Sequence, residues 1–544
     1  MSTESDTCSE PLLANANMIS EDILERGHAR RMGHLENYFA LLQRQDLYGN
    51  FTTYCEFESY VDTETLVPIL REIFFQNPIL VHTIIPKNYP NHEEFYLSEQ
   101  YLEKPYPEHD YIKIVPHLGL NDIIINEQEE YRDVVDSIIK RFNDDAFQIT
   151  CSLTEMISNI RIPICLPNRP NWRLLILFDQ KTPRRFKHIV YISNHCSSDA
   201  MSGINLFKDI NKGLAVLGKE ATNIIIDTID NDYSVNNNSR SLEIYDYDKD
   251  YTKFKRLAIP ITERIDYRPN WIAMGKLMVT SMIMKYLVYK FKDSETKRIK
   301  EDRRENFHYN INIGWDQVQQ LKTNLQRHKS SMTGFLQACL FIVLNESGVF
   351  KDRRWNEMGV DISIPNDHRK SLPKELVEEQ YKYGANVAGS HYSFLISSIK
   401  RDQIWELSQY YTEVIQSADY NVGLGALMLD FVYKNQNVDK IITDSYLGNQ
   451  RGGIILSNIG LHTDKSGNNK IEDDEKKPFA GGIKDLKFIQ NVGTLGFSLV
   501  VNVCSTKKSG MNVCVSGIEG TIGDREKFNA TFKELENLIR SYCE

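Results

Sequence analysis

Two stretches of this chain carry the same grammar, a short strand, a helix and a second strand, and that alternation excludes an all-helical or an all-β fold. In the first stretch, the aromatic and β-branched run at residues 51–57 reads as a strand. A helix follows from near Thr65, with Pro68 in its first turn and Ile69, Leu70 and Ile73 on its buried face. Asn77-Pro78 stops it, because proline lacks a donor and blocks the turn, and residues 79–85 form a buried strand. In the second stretch, residues 307–313 alternate as a strand and Asp316 is placed to cap a helix through Leu325. Residues 333–344 make a strongly apolar helix, and 360–364 a further strand. At 544 residues the chain accommodates two large α/β halves.

The expected division is a disordered tail at 1–18, an N-terminal half at 19–211, a crossover at 212–300 and a C-terminal half at 301–544. The crossover is loose in pattern and includes a Met-rich helix within 271–289. Near the N-terminus, a helical pattern runs over 21–44 with Leu24, His28, Met32, Leu35, Phe39 and Leu42 on one face, weakened by Gly27 and Gly33. Residues 463–478 read as a solvated loop. The last helix, 524–542, places Phe528, Phe532, Leu535, Ile539 and Tyr542 on a seam that must meet something apolar.

A net charge of -10 argues against a general nucleic-acid binder, which needs a surplus of Lys and Arg. The nine cysteines include no Cys-x-x-Cys pair, so a disulfide framework or zinc knuckle is not legible and a reducing compartment fits. The N-terminus lacks the basic and apolar regions of a secretory signal. The longest apolar stretch, 271–289, is interrupted by Lys276 and Lys285 and reads as a buried or partly exposed Met-rich helix in preference to a membrane span.

The segment with the most chemistry is His188-Ile-Val-Tyr-Ile-Ser-Asn-His195-Cys-Ser-Ser-Asp199-Ala-Met-Ser-Gly203. It reads as an apolar strand ending at a histidine, a turn of small residues and a helix. Strand ends are where α/β folds expose reactive groups. Histidine suits general-base work on a hydroxyl, since its ordinary pKa of about 6.5 lies near operating pH. Asp199 anchors the turn or helix start in preference to touching substrate. Taken alone, His-x-x-x-Asp is equally compatible with a satisfied turn histidine. Cys196 reads as a small packing residue, because neighbours in sequence point in different directions. A metal site at His195 and Asp199 lacks a local third ligand. Ser457 and Asn458, ending an apolar run, are placed either to line the site near a developing oxyanion or to cap a strand.

Several longer passages carry a family resemblance: Arg26-Gly-His-Ala-Arg-Arg-Met-Gly-His-Leu-Glu-Asn-Tyr-Phe39, His82-Thr-Ile-Ile-Pro-Lys87, Arg169-Pro-Asn-Trp-Arg-Leu174 and Val422-Gly-Leu-Gly425. Gln450-Arg-Gly-Gly-Ile-Ile-Leu-Ser-Asn458 and Asn502-Val-Cys-Ser-Thr506 complete them. With His195 and Asp199 they resemble the acyltransferase superfamily of chloramphenicol acetyltransferase, the plant BAHD enzymes and peptide-synthetase condensation domains. Within it, the chain is similar to the yeast alcohol O-acetyltransferases.

The resemblance implies an α/β fold of two similar domains with mixed sheets and a tunnel between them. It implies that His195 takes the proton from an acceptor hydroxyl as the oxygen attacks the thioester of acetyl-CoA, with no acyl-enzyme and no metal. Asp199 is then structural and pairs with Arg369, in Asp367-His-Arg-Lys-Ser-Leu-Pro373, which resembles the Asp-x-Arg region of the plant enzymes. Two departures stand: Ala200 replaces the glycine that usually follows the aspartate, and Gly493-Thr-Leu-Gly-Phe497 stands where the plant enzymes have Asp-Phe-Gly-Trp-Gly. The implied reaction forms acetate esters of medium-chain or branched alcohols. The implied location is intracellular, peripheral to the cytoplasmic face of the endoplasmic reticulum or a lipid droplet. Two alternatives remain open at this point: N-acetylation of a sphingoid or drug-like amine, and a non-catalytic protein holding a lipid or sterol.

Overall fold

The structure is a computed structural model and describes residues 19–85, 110–182, 185–220, 242–265, 286–417, 438–462, 482–491 and 497–544, with positions 279 and 283. The tail, most of the Met-rich segment, the 463–478 loop, Lys87, Val422–Gly425 and Gly493–Gly496 lie outside the described residues.

The strands relevant to the site are β1 (Phe51–Asp62), β2 (Trp172–Phe178), β3 (Arg185–Ser193), β4 (Asn306–Ile313), β5 (Gly359–Asp367), β6 (Val387–Leu395), β7 (Gly453–His462), β8 (Ile483–Gln490), β9 (Phe497–Thr506) and β10 (Gly510–Ile518). The helices are α1 (His34–Arg44), α2 (Leu66–Gln76), α3 (Ala200–Glu220), α4 (Trp315–Arg327), α5 (Met332–Glu346) and α6 (Arg525–Ser541). One sheet has the order β8-β1-β3-β2 and is antiparallel throughout. A second, larger sheet has the order β6-β5-β7-β9-β10-β4 and is mixed, since β7 runs parallel to both β5 and β9. The expected α/β class with a mixed sheet is therefore present, and two smaller sheets, of three and two strands, accompany these among the described residues. One strand crosses between the two larger sheets: β8 follows the second sheet's β7 in the chain yet pairs with β1 of the first, Gln490 opposite Phe51.

β3 is apolar without alternation because both of its faces are covered. Ile189 and Tyr191 face one core with Phe51, Trp172 and α3, while Val190 and Ile192 face another with Ile138 and Phe142. α5 is buried from Gly334 to Leu344 for the same reason, enclosed by the second sheet, residues 404–416 and α6. The Asp524 carboxylate accepts from the Lys527 amide at 2.9 Å and caps α6. The seam of α6 does meet apolar partners: Phe528, Phe532, Leu535 and Ile539 are buried in the core with α5.

Three expectations are corrected. The pattern over 21–44 is two helices, not one. Gly27, at φ 74°, closes the helix Glu21–Arg26, a short strand Ala29–Arg31 intervenes, and Gly33 starts α1, so both glycines act as stops. Leu24 accordingly lies exposed, off the face that buries Leu35 and Phe39. Residues 79–85 divide into a 3₁₀ turn, Pro78–Val81, and a strand, His82–Ile85. The cap of α4 is Gly314, and Asp316 sits inside its first turn.

Candidate active site

The end of β3 is held rigidly before any catalytic group is reached. The Asn194 amide donates to the Asn171 carbonyl at 3.0 Å, the Asn171 amide donates to Ser197 Oγ at 2.9 Å, and the Tyr191 hydroxyl donates to Ser198 Oγ at 2.9 Å. Cys196 is buried against Asn194, and burial pushes its thiol up to about 12, which suits packing and not nucleophilic attack. α3 leaves this turn and crosses β1 closely. A Cβ on Gly203 would stand 2.1 Å from Thr53 Oγ1, so glycine is required there. Ala200 occupies the first turn of α3 and has no positive φ.

His195 Nδ1 lies 3.0 Å from the Ser198 carbonyl oxygen. A carbonyl only accepts, so Nδ1 carries the hydrogen and Nε2 keeps the lone pair. The ring stacks on Phe51 at 4.5 Å between centroids, with Phe39 at 5.0 Å and Tyr48 at 5.4 Å. Burial in this aromatic setting pulls its pKa down to about 4, outweighing the Ser198 bond and the nearby Asp199 charge. His195 is therefore neutral at pH 7, the form a general base requires.

Asp199 makes its hydrogen bonds to Ser202, Arg369 and Asn386, and none of these is to His195. One of its oxygens accepts from the Ser202 amide and hydroxyl, both at 2.9 Å, and from Arg369 Nη2 at 3.1 Å. The other accepts from Arg369 Nη1 at 2.8 Å and the Asn386 amide at 3.1 Å. Burial alone would raise this carboxyl, but Arg369 and these donors hold it below the usual range. Arg369 also donates to the Tyr381 carbonyl at 2.6 Å and to Asp367 at 3.1 Å. The structure thus brings Asp199 and Arg369 together across the two halves of the chain, with both side chains buried.

Between the sheets lies a cavity of about 770 Å³, lined by His195, by apolar side chains that include Leu35, Phe39, Ile442, Ile455 and Phe497, and by nearly as many polar ones. Ser457 lines it. Asn458 lines it as well, but its amide donates to Thr333 Oγ1 at 3.2 Å and accepts from the Gly460 amide at 3.0 Å, so it braces the wall. Tyr48 and Gln490 line this cavity, while the next residue of each, Gly49 and Asn491, lines a second cavity of about 480 Å³. The second cavity is basic: Arg161, Lys297, Arg304, Arg451 and Arg525 line it against Glu155, Asp302 and Glu305. Arg451 is only 1% exposed, and its Nε and Nη1 have no hydrogen-bond partner. Burial and neighbouring Arg304 push it down to about 10, still cationic at pH 7. Among the described residues no cluster of three or more His, Cys, Asp or Glu is placed to hold a metal.

Sequence reasoning reached His195, Asp199, Arg369, Ser457 and Asn458, and Arg451 stands within one of the passages of family resemblance without a part assigned to it. It missed Tyr48, Phe51 and Gln490 as site residues. The only local signal near Tyr48 is a turn-rich passage, Gln45-Asp-Leu-Tyr-Gly-Asn50, which does not indicate what the tyrosine faces.

Two pH effects follow. With His195 near 4, the acid limb of kcat/KM is expected near pH 4, not near 6.5, in assays short enough to precede unfolding. Stability behaves differently. His82, His195 and His368 are all lowered to about 4 by burial, so the unfolded chain takes up protons from about pH 6.5 downward while the folded chain does not. Their contribution is complete above pH 6.5 and is lost as pH falls toward 4. Urea midpoints across pH 4–8 should show that decline, and a flat profile would count against buried neutral histidines.

Residues 31–539 match the family model described as alcohol acetyltransferase. The chain is 38% identical to alcohol O-acetyltransferase 2 of Saccharomyces cerevisiae, over 96% of this chain and 98% of that protein. It is 33% identical to alcohol O-acetyltransferase 1 of the same yeast, over 96% and 95%. Among solved structures, a trichothecene 15-O-acetyltransferase from Fusarium sporotrichioides superposes with a TM-score of 0.61 over 97% of this chain and 96% of its own, at 10% identity. The first condensation domain of the calcium-dependent antibiotic synthetase gives 0.53, over 95% and 97%, at 8% identity. At those identities the two structures speak for the fold alone.

Proposed function

The chain belongs to the alcohol acetyltransferase family, an acyltransferase class that moves an acetyl group onto an alcohol to form an ester, and we propose that His195 is its general base. The observation that carries this reading is the single free nitrogen of His195. Nδ1–H is tied to Ser198, so Nε2 presents its lone pair where the ring borders the cavity. The alcohol oxygen attacks the thioester carbonyl of acetyl-CoA while Nε2 takes its proton. Collapse of the adduct expels the CoA thiolate, which recovers that proton. No acyl-enzyme is needed, and Cys196, the thiol beside His195 in sequence, is buried and held up near 12.

The apolar lining favours medium-chain or branched alcohols over water, which would otherwise hydrolyse the thioester. It also disfavours an amine acceptor. A protonated amine wants a free carboxylate, and the carboxylates on the cavity wall, Asp199 and Asp367, are both engaged by Arg369. Asp199 and Arg369 act as braces, and Ser457 offers a hydroxyl at the wall.

The phosphorylated end of acetyl-CoA enters from the basic cavity behind Tyr48 and Gln490, where Arg451 is a buried cation without hydrogen-bond partners at Nε and Nη1. Arg451→Met is expected to raise KM for acetyl-CoA about tenfold or more, the scale of one charge-assisted bond. Its melting temperature should hold, since those nitrogens make no intramolecular bond to lose. An unchanged KM would place the donor elsewhere.

Peripheral attachment to the endoplasmic reticulum or a lipid droplet belongs to the same proposal. α6 does not supply it through its seam, which is buried. Flotation of the intact chain with lipid vesicles tests it, and recovery wholly in the dense fractions would remove it. The decisive experiment for the reaction is gas chromatography of acetate esters from purified protein, acetyl-CoA and a panel of C2–C8 alcohols. Ester yield should rise from short to medium or branched chains; ester from amines alone, or no product at all, would defeat the reading.

A further inference from the structure

When the alcohol oxygen attacks, the thioester carbonyl oxygen becomes an oxyanion, and a preorganised donor aimed at it is worth more than any other single group in such a site. The base cannot serve, because Nε2 is occupied with the alcohol proton and Nδ1–H is spent on Ser198. Asn458 is held in the wall by Thr333 and Gly460, which fix the direction of its one remaining N–H.

Tyr48 meets the requirement. It is 1% exposed, lines the His195 cavity and packs its ring 5.4 Å from the imidazole. Its hydroxyl oxygen accepts a hydrogen bond from Gln490 Nε2 and makes no other among the described residues. An oxygen that accepts from an amide N–H keeps its own proton to give, and the amide polarises that O–H toward the cavity. Burial keeps the phenol protonated at any working pH. The pair is positioned by the sheet itself: Gln490 of β8 stands opposite Phe51 of β1, and Phe51 opposite Ser193 of β3, two residues before His195. The imidazole's stacking partner and the holder of the tyrosine therefore sit in one row across three strands. Both also lie where the alcohol cavity borders the basic cavity, which is where the thioester must be when it meets the alcohol.

We propose that Tyr48, oriented by Gln490, donates the hydrogen bond that stabilises the oxyanion of the tetrahedral adduct. The inference rests on the reading of His195 as base. No bond to Tyr48 forms or breaks: its proton stays on the phenol oxygen, and only the hydrogen bond strengthens as the carbonyl electrons move onto oxygen.

The test is the single-turnover rate of acetyl transfer in Tyr48→Phe and Gln490→Leu, with wild type and His195→Ala alongside. Tyr48→Phe keeps the ring against His195 and removes only the donor. It should lower the rate about 10²–10³-fold, with KM for both substrates within threefold and the acid limb of the pH profile unmoved. Gln490→Leu leaves the phenol but frees its orientation, and should fall between wild type and Tyr48→Phe. A Tyr48→Phe rate within threefold of wild type overturns the proposal. So does a loss accompanied by a shifted acid limb, which would mean the tyrosine only supports the imidazole. The base assignment fails separately, through an active His195→Ala.

Discussion

His195→Ala is expected to lower kcat by about 10²–10⁴-fold, the span that a positioned general base contributes. The remaining rate would come from holding alcohol and thioester together, which effective molarity values at about 7–11 kcal/mol and which the variant keeps. KM for the alcohol should change little, because the apolar wall of the cavity, Leu35, Ile442 and Phe497 among it, is left intact by the substitution. The fold should survive as well. The ring already borders a cavity, so its removal enlarges that space instead of opening a sealed void, and the one bond lost is that to the Ser198 carbonyl. Imidazole added to the variant fits the vacated slot against Phe51 and is expected to restore part of the rate. Steady-state kinetics with and without imidazole, and a melting curve on the same preparation, check all four. Activity near that of wild type in a folded variant would remove His195 from the mechanism.

Breaking the Asp199–Arg369 pair should show as lost stability first and lost activity second. Both side chains are buried, and an arginine stranded without its carboxylate destabilises a fold by about 3–5 kcal/mol. Asp199→Ala also removes the acceptor for the Ser202 and Asn386 amides, so the start of α3 and the segment before β6 both lose a tie. Arg369→Met alone leaves Asp199 buried with fewer donors. The double variant Asp199→Leu/Arg369→Met leaves no stranded charge and should be more stable than either single variant. Denaturant midpoints for the three decide the matter: additive losses in the double variant would mean that the two groups do not act as a pair. The carboxylate is held below its ordinary pKa, so its contribution persists above about pH 4 and is lost only as pH falls below that, later than the histidine effect.

The strand-end histidine was legible because it depends on local rules. Four apolar residues, a turn of small polar residues and a resumed helical pattern describe β3, the turn and α3 in one continuous segment. The same holds for α2, whose proline signals sit at its two ends, and for α6, whose aspartate cap and apolar spacing both appear in the structure. Local patterning was less reliable where glycine had two meanings. In 21–44 the apolar spacing continued through Gly27 and Gly33, but a glycine at positive φ ends a helix whatever the spacing beyond it says.

By itself, then, the sequence determined most of the buried faces, where most elements start and stop, and which histidine stands at a strand end. Periodicity carries that information because it states which face of an element avoids water. It does not state what that face meets. The Asp199–Arg369 pair was implied by the family resemblance and by no spacing rule, while only the tertiary structure decided that β8 leaves the second half of the chain to join the first sheet and that α6 buries its seam inside the molecule. It also decided that Tyr48, Phe51, Gln490 and His195, from three distant segments, surround one point. Those pairings depend on strand order and sheet crossing, which are set by long-range packing and leave no spacing rule in the chain.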